Sequence, residues 1–471
     1  MNTTDSNDLT RYTNLYFVGA GGIGMAALER YFLSRGCQVA GYDRTPSALT
    51  DALRAEGVEI VFDDDPTLIP DAMRNPSTTL VVYTPAVGAD HRGLQFFRSA
   101  GHQVIKRAAL LGLITRNSRG ICFAGSHGKT TTSSMAAHLL HCSPTGCNAF
   151  LGGILRNYNS NLLLSDTSDL SVIEADEFDR SFHQLRPAVA VVTSTDPDHL
   201  DIYGTEEAYL ESFAHFTSLI KPGGTLIVHE GLKLVPRVDP SVTVYTYSHG
   251  ETGDFHPANI RRGDGTIVMD VVTPSGTITD IELGVPVEIN IDNAIAAIAG
   301  VWAAGALDIP SAREAMKSFM GPKRRFEFLL REPGPRGRAI IDDYAHHPDE
   351  LKASISSVKA LYPDRRLTVV FQPHLYTRTR DFAPLFAEAV SAADDVILLD
   401  IYPAREEPIP GVTSKIIFDR VTAPSKSLCS KENLIKRLKS CNFDILLTAG
   451  AGDIDRLLPA IVESTINPTD N

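Results

Sequence analysis

The run Gly125-Ser-His-Gly128-Lys129-Thr130-Thr131 constrains this chain more than any other feature of its sequence. An apolar stretch at 120–124 precedes it with the look of a buried strand, and the pattern predicts a helix after it. A phosphate loop of the form G-x-x-x-x-G-K-[ST] would need glycine at 123, where Phe123 stands, so this is a shortened relative of that loop. The chemistry is intact. Successive amides can cradle phosphate oxygens, Lys129 supplies a point charge, and Thr130 offers a hydroxyl to Mg²⁺.

A metal partner is expected at the end of a neighbouring strand. Apolar residues 170–173 run into Glu174-Ala-Asp176-Glu177-Phe-Asp179, and 189–192 run into a segment holding Asp196, Asp198, His199 and Asp201. Ligand crevices of open α/β sheets form at the carboxyl ends of strands. Hard oxygen ligands beside phosphate suit Mg²⁺. That placement selects Thr130, Glu174 and His199 as the candidate metal set.

A second glycine loop lies upstream. Gly19-Ala-Gly21-Gly22-Ile-Gly24 follows a strand-like run at 15–20, precedes a periodic helix at 25–35, and is followed by a strand at 38–42 that ends in Asp43. That is the spacing of a dinucleotide-binding unit, with amides and a helix N-terminus turned toward a pyrophosphate. NAD, a flavin and a UDP-sugar all present that group.

At ~150 residues per domain, 471 residues suggest three. Fresh strand starts at 15, 120 and 338, with Gly/Pro/Arg punctuation at 321–325 and 331–338, predict domains at 1–115, 116–320 and 321–471. Short apolar runs alternate with helical segments, which predicts stacked α/β units rather than an all-β or all-α architecture. Residues 244–281 alternate between short apolar stretches and turns, which predicts a small antiparallel extension of the sheet. A net charge of −13 argues against a nucleic-acid partner. The six cysteines form no CxxC pair and suggest neither a disulfide framework nor a zinc site. The start, MNTTDSNDLT, does not read as a secretory signal. The softest apolar stretch, 294–307, is shorter than the ~20 residues of a membrane span, so membrane insertion is not expected.

An ordered series of motifs then gives a resemblance. GAGGIGM at 19–25, IKRAALLG at 105–112, GSHGKTTT at 125–132, EADEFDRSFHQLRP at 174–187 and DPDHLDIYG at 196–204 are followed by KRRFE at 323–327, DDYAHHPDE at 342–350, FQPHLYTRTRD at 371–381 and YPAREEPIPG at 402–411. Together they resemble the Mur ligase family over nearly the whole chain. The resemblance implies an α/β chain of three domains, a Rossmann-like N-terminal domain, a central P-loop ATPase-type mixed sheet and a Rossmann-like C-terminal domain. It implies a cytoplasmic, ATP-dependent ligase joining L-alanine to the lactyl carboxylate of UDP-N-acetylmuramate, a monomer or homodimer serving peptidoglycan precursor synthesis. It also implies site residues. Gly125, Gly128, Lys129, Thr130, Thr131, Asn290, Asn293, Arg325 and Asp343 would hold ATP. Gly19, Gly21, Gly22, Gly24, Asp43, Arg107 and His127 would hold the UDP-sugar, so UDP rather than NAD belongs on the first loop. Tyr344, His346, His347, Arg378 and Arg380 would shape the L-alanine end. Mg²⁺ would sit at Thr130 and Glu174 and near His199.

Three positions depart from the family's pattern. Ile289 stands where many relatives have histidine, and Leu375 follows His374 where many have arginine, shifting carboxylate capture to Arg378 or Arg380. The next lysine after His199 is Lys221, too distant to match the carbamoylated lysine of sister ligases. The amine of L-alanine must lose a proton before it attacks, and His346 or His347 is the expected base. Competing readings are a recycling ligase that adds a murein tripeptide, a nicotinamide oxidoreductase, and a non-catalytic nucleotide-binding regulator.

Overall fold

The structure, a computed structural model, describes residues 9–466 except Ala89, Asp264, Pro333, Pro335, Arg405 and Asn442, and only the backbone of Leu200 and Asp201. The opening MNTTDSND, the two prolines of 331–338, Arg405 of the 402–411 motif and the side chain of Asp201 therefore lie outside the described residues.

Five parallel strands form the first sheet: β1 Asn14–Val18, β2 Gln38–Tyr42, β3 Glu59–Val61, β4 Thr79–Tyr83 and β5 Gln103–Lys106, ordered β3-β2-β1-β4-β5. Every residue of β1, NLYFV, is buried, as a strand covered on both faces requires. The order reverses between β1 and β4, so the crevice of this sheet opens beside the turn that leaves β1.

The second sheet contains β6 Arg119–Ala124, β7 Asn148–Leu155, β8 Ser160–Leu163, β9 Leu170–Glu174, β10 Val189–Val192, β11 Thr225–His229 and β12 Thr243–Tyr247. Its order is β12-β11-β10-β6-β9-β7-β8, with only the β7–β8 pair antiparallel. β6 thus lies between β9 and β10, and the turn that leaves it emerges between the carboxyl ends of both. The first two sheets share one apolar core, in which Phe17, Leu28 and Leu80 join Ala124, Ile173 and Phe182. They belong to one compact unit that runs through Ala258 and includes Asp270–Ile281 and Asp292–Ser318.

The antiparallel extension expected over 244–281 takes another form. β12 joins the central sheet as a parallel edge strand, because the long return from His229 permits a crossover. β13 His256–Gly263, β14 Thr266–Thr273 and β15 Gly276–Glu282 make a separate three-stranded sheet. Only two residues of sequence separate successive strands, too few for the crossover a parallel pair needs.

The second compact unit comprises Asn259–Met269, Glu282–Ile291 and the chain from Phe319 onward. Its sheet is ordered β16-β17-β21-β18-β19-β20, from β16 Glu327–Arg331, β17 Ala339–Asp343, β18 Leu367–Phe371, β19 Asp395–Leu398, β20 Ser425–Leu428 and β21 Ile445–Ala449. Only the β16–β17 edge is antiparallel. Among the described residues no helix is long and apolar enough to cross a membrane.

Candidate active site

The turn after β6 requires its glycines. Gly125 has φ +147, and a Cβ there would lie 2.1 Å from the Thr193 hydroxyl oxygen at the end of β10. Gly128, at φ +82, caps the helix Lys129–His141, and a Cβ on it would come within 2.8 Å of Asn293 Oδ1. The helix's first amides point out of this turn with no intrahelical partner, which is the geometry an anion uses. Cross-links to β10 hold the turn: Ser126 Oγ donates to Asp196 O at 2.6 Å, His127 N donates to Ser194 Oγ at 2.7 Å, and Thr193 Oγ1 donates to His127 O at 2.5 Å. Asn293 Oδ1 accepts from Thr132 Oγ1 at 3.1 Å, so Asn293 braces the same helix.

Lys129 folds back across the turn. Its Nζ donates to Gly125 O at 2.5 Å and to Glu177 Oε1 at 2.8 Å, and Glu177 Oε2 is equally near, 2.8 Å, though not in hydrogen-bond geometry. Glu177 is 1 % exposed. Burial pushes its carboxyl above the ordinary value, against the pull of Lys129. Sequence reading passed over this residue as one acid among four in EADEFD; only its burial beneath Lys129 separates it from the others. On the other side Thr130 Oγ1 donates to Glu174 Oε1 at 2.9 Å, and Gly152 N donates to Oε2 at 2.9 Å. Burial raises Glu174 too, against the hydrogen bond from Thr130.

The three candidate metal ligands are therefore not one cluster. Thr130 and Glu174 converge, whereas His199, at φ +52, sits beside Glu177, with Nε2 4.0 Å from Oε1 and 3.7 Å from Asp198 Oδ2. Among the described residues no group of three or more His, Cys, Asp or Glu is arranged to hold an ion alone. A hydroxyl and a carboxylate beside a phosphate turn nevertheless fit Mg²⁺, which takes few protein oxygens and completes its shell with phosphate and water.

The first glycine loop opens onto a cleft of about 400 Å³ whose walls include Gly19, Gly22, Gly24, Arg107, Glu174 and Asp176. The loop that sequence assigns to a pyrophosphate and the carboxylate that sequence assigns to a metal thus face one cavity. Gly19 has φ +94, and a Cβ on it would strike Thr84 Cγ2 at 2.4 Å. Arg107 opens the helix Arg107–Arg116 and lies against Gly24, 3.0 Å from where a Cβ would stand. Asp43 is turned inward: it accepts from Gly21 N at 2.6 Å and Thr45 N at 3.1 Å. Phe150 and Leu151 give the cleft apolar walls, and Asn161, donating to Ile23 O at 3.1 Å, ties the helix after the loop to the central sheet.

In the second unit, Arg324 and Arg325 lie over the Tyr344 ring, 5.1 and 5.4 Å from its centroid. Asp343 accepts from Ser354, and burial raises its carboxyl. Asn290 Nδ2 donates to Val285 O at 2.9 Å, bracing the entry to its own helix, and Ile289 beside it is exposed. His346 Nδ1 is 3.1 Å from Tyr344 O and 3.2 Å from Glu350 Oε2. Burial pushes Glu350 upward, but hydrogen bonds from the His346 side chain and backbone outweigh it and hold the carboxyl at about 2. His347 is half-buried beside Phe382. Arg380 is spent on its neighbour Asp381 at 2.7 Å, while Arg378 is half-buried. His374 stacks on Tyr402 at 5.7 Å and lies 6.1 Å from His346. Lys221 Nζ donates to Thr115 O and Ser118 O at 2.8 Å, the carboxyl end of a helix.

Fold and site together define an α/β protein with two glycine loops, each at the carboxyl end of a buried parallel strand. The chain belongs to the Mur ligase family: it matches the Mur ligase family catalytic domain over 14–119, the Mur ligase middle domain over 123–301 and the Mur ligase glutamate ligase domain over 324–452. It is 58% identical over 456 residues to the UDP-N-acetylmuramate--L-alanine ligase of Parabacteroides distasonis, covering 97% of this chain and 98% of that protein. The crystal structure of UDP-N-acetylmuramate-alanine ligase from Thermotoga maritima is similar at a TM-score of 0.75 and 25% identity, covering 96% of this chain and 99% of that one. A murein peptide ligase from Psychrobacter arcticus shares the fold at a TM-score of 0.59 and 20% identity, covering 97% of this chain and 100% of that one.

Proposed function

We propose that this chain is an ATP-dependent ligase that joins L-alanine to the lactyl carboxylate of UDP-N-acetylmuramate through an acyl phosphate, giving ADP and phosphate. The observation that carries the proposal is the shared cleft, in which the first glycine loop and Glu174 line one cavity while Thr130 links Glu174 to the phosphate turn. High identity to proteins named for this activity supports the choice of substrates.

The chemistry follows from charge. Oxide is a poor leaving group, so the carboxylate takes the γ-phosphoryl group of ATP before the amine attacks. Each pair of like charges ~4 Å apart costs ~1 kcal/mol in water and ~4 kcal/mol at an effective dielectric of ~20. One carboxylate approaching a triphosphate makes several such pairs. Lys129 leaves Glu177 for the β- and γ-phosphates, and the amides at Gly128–Thr131 take the remaining oxygens. Thr130 and Glu174 would hold Mg²⁺, which would supply positive charge beside the transferring group, and His199 would lie near a second ion. Gly19, Gly22, Gly24 and Arg107 hold the UDP-sugar so that its lactyl arm reaches toward Glu174. Asn293 positions the phosphate-binding helix, and Arg325 and Asp343 are proposed nucleotide residues.

Arg378 captures the alanine carboxylate, since Arg380 is already paired. His346 accepts the proton of the amine: with Nδ1 donating to Tyr344 O, its Nε2 carries the free lone pair. The proposed domain boundaries are near 115 and 321, the setting is cytoplasmic, and the enzyme is a monomer or homodimer.

ADP release tests this reading. It should require both UDP-N-acetylmuramate and L-alanine. Release that is independent of both would overturn the ligase assignment, and release with the murein tripeptide but not L-alanine would make it the recycling ligase instead.

A further inference from the structure

The central sheet has a second charged cavity at its other end. Arg116 ends the helix before β6, Arg186 precedes β10, and Lys221 precedes β11. All three therefore stand at the amino ends of strands whose carboxyl ends carry the phosphate turn. At ~3.3 Å per residue, the length of β6 separates the two regions by roughly 20 Å. The three cations line an open cavity of about 390 Å³ with no carboxylate in its wall. In a chain of net charge −13 such a grouping is unusual.

Lys221 has a structural duty, since its ammonium caps the carbonyls of Thr115, Arg116 and Ser118 at 2.8, 3.3 and 2.8 Å. Arg186 is different. Its Nη1 donates to Leu185 O at 2.6 Å and His183 O at 3.3 Å, whereas Nε and Nη2 donate to nothing among the described residues. That leaves the side-on Nε–Nη2 edge, the edge that grips two oxygens of one oxoanion. The guanidinium is half-buried, and both burial and the like charge of Arg116 weigh against its cationic form. A dianion would relieve both costs.

We propose that Arg186, with Arg116 and Lys221, binds the phosphoryl group of a small anion, at a site separate from both glycine loops. The shared chemistry is a tetrahedral dianion, either free phosphate or the phosphate of a small ester. Arg186 is the next-to-last residue of the 174–187 segment that begins at Glu174, and none of the proposed catalytic steps uses it.

Equilibrium dialysis of the full chain tests the site, with the two glycine loops filled by a nonhydrolysable ATP analogue, Mg²⁺ and UDP-N-acetylmuramate. Inorganic phosphate and glucose 6-phosphate are the probes, and chloride at matched ionic strength is the control. One equivalent should bind. Tighter binding of the ester would identify an organophosphate ligand, and equal or weaker binding would identify phosphate itself. Arg186→Gln should weaken binding at least tenfold with the kcat and KM of the ligase reaction unchanged. Arg186→Lys should restore only part of it, because an ammonium lacks the side-on fork. Should Arg186→Gln fail to fold, Arg116→Gln, at an exposed position, should weaken binding several-fold. No bound equivalent, binding abolished by chloride alone, or unchanged affinity in both glutamine variants would overturn the proposal.

Discussion

Replacing Glu177 by glutamine removes the anion that faces Lys129 while keeping shape and hydrogen-bonding capacity. The two side chains are 14% and 1% exposed and 2.8 Å apart. At an effective dielectric of ~20, opposite charges at that distance attract by ~6 kcal/mol, most of which offsets the cost of taking them out of water. Loss of one partner strands the other, and such losses are typically ~3–5 kcal/mol. The carbonyl of Gly125 still accepts from Nζ, so the lower end applies. At ~2 cal/mol/K of unfolding entropy per residue over the first compact unit, a deficit of ~3 kcal/mol should lower the unfolding midpoint by roughly 5 °C. ATP phosphates would supply the missing anion. The stabilisation produced by a nonhydrolysable ATP analogue with Mg²⁺ should therefore be larger in Glu177→Gln than in the unaltered chain. Thermal unfolding of both proteins, with and without the analogue, makes the measurement. Equal midpoints without nucleotide, or equal shifts with it, would refute the idea that Glu177 holds Lys129 in reserve for phosphate.

Gly125→Ala would push a methyl into the Thr193 hydroxyl at 2.1 Å and disfavour φ +147, so ADP formation should fall at least a hundredfold in a steady-state assay while the chain remains folded by circular dichroism. Arg107→Ala should raise the KM for UDP-N-acetylmuramate ten- to a hundredfold and leave the KM for ATP within about twofold, because its guanidinium lies in the cleft of the first glycine loop. His138 is 3% exposed, and burial, with His141 nearby, lowers it to about 4. Its neutral form is the one the fold favours, so this contribution is complete above the unfolded value near 6.5 and is lost as pH falls toward 4, by up to ~3 kcal/mol. Denaturant titrations at pH 7 and pH 4.5 should show that loss, and His138→Gln should flatten it; an unchanged pH dependence in the variant would place the titration elsewhere.

Glycine made much of this molecule legible in its sequence. Gly125 and Gly128 occupy backbone conformations and close approaches that other residues cannot, so the phosphate turn could be located from residue types alone. The apolar runs Val189–Val192 and Leu15–Val18 marked buried strands in the same way, though not which strands lie beside them. Pairings across the fold were hidden. Glu177 reads as a solvated acid until burial brings it beneath Lys129, and Glu174, which ends its strand, pairs with Thr130 while His199, beyond another strand, sits beside Glu177. Arg378 and Arg380 are the same residue type two positions apart, and partial burial of the first and the pairing of the second with Asp381 distinguish them in three dimensions. The run at 244–281 misled because alternation specifies a strand but not its partner: β12 and the hairpins after it share a pattern and join different sheets.

The central claim is that the sugar carboxylate accepts the phosphoryl group of ATP. UDP-N-acetylmuramate labelled with ¹⁸O in its lactyl carboxylate tests this most directly, with the released phosphate read by mass spectrometry after turnover with L-alanine. One labelled oxygen should pass into each phosphate formed. Unlabelled phosphate accompanying full amide formation would contradict the account.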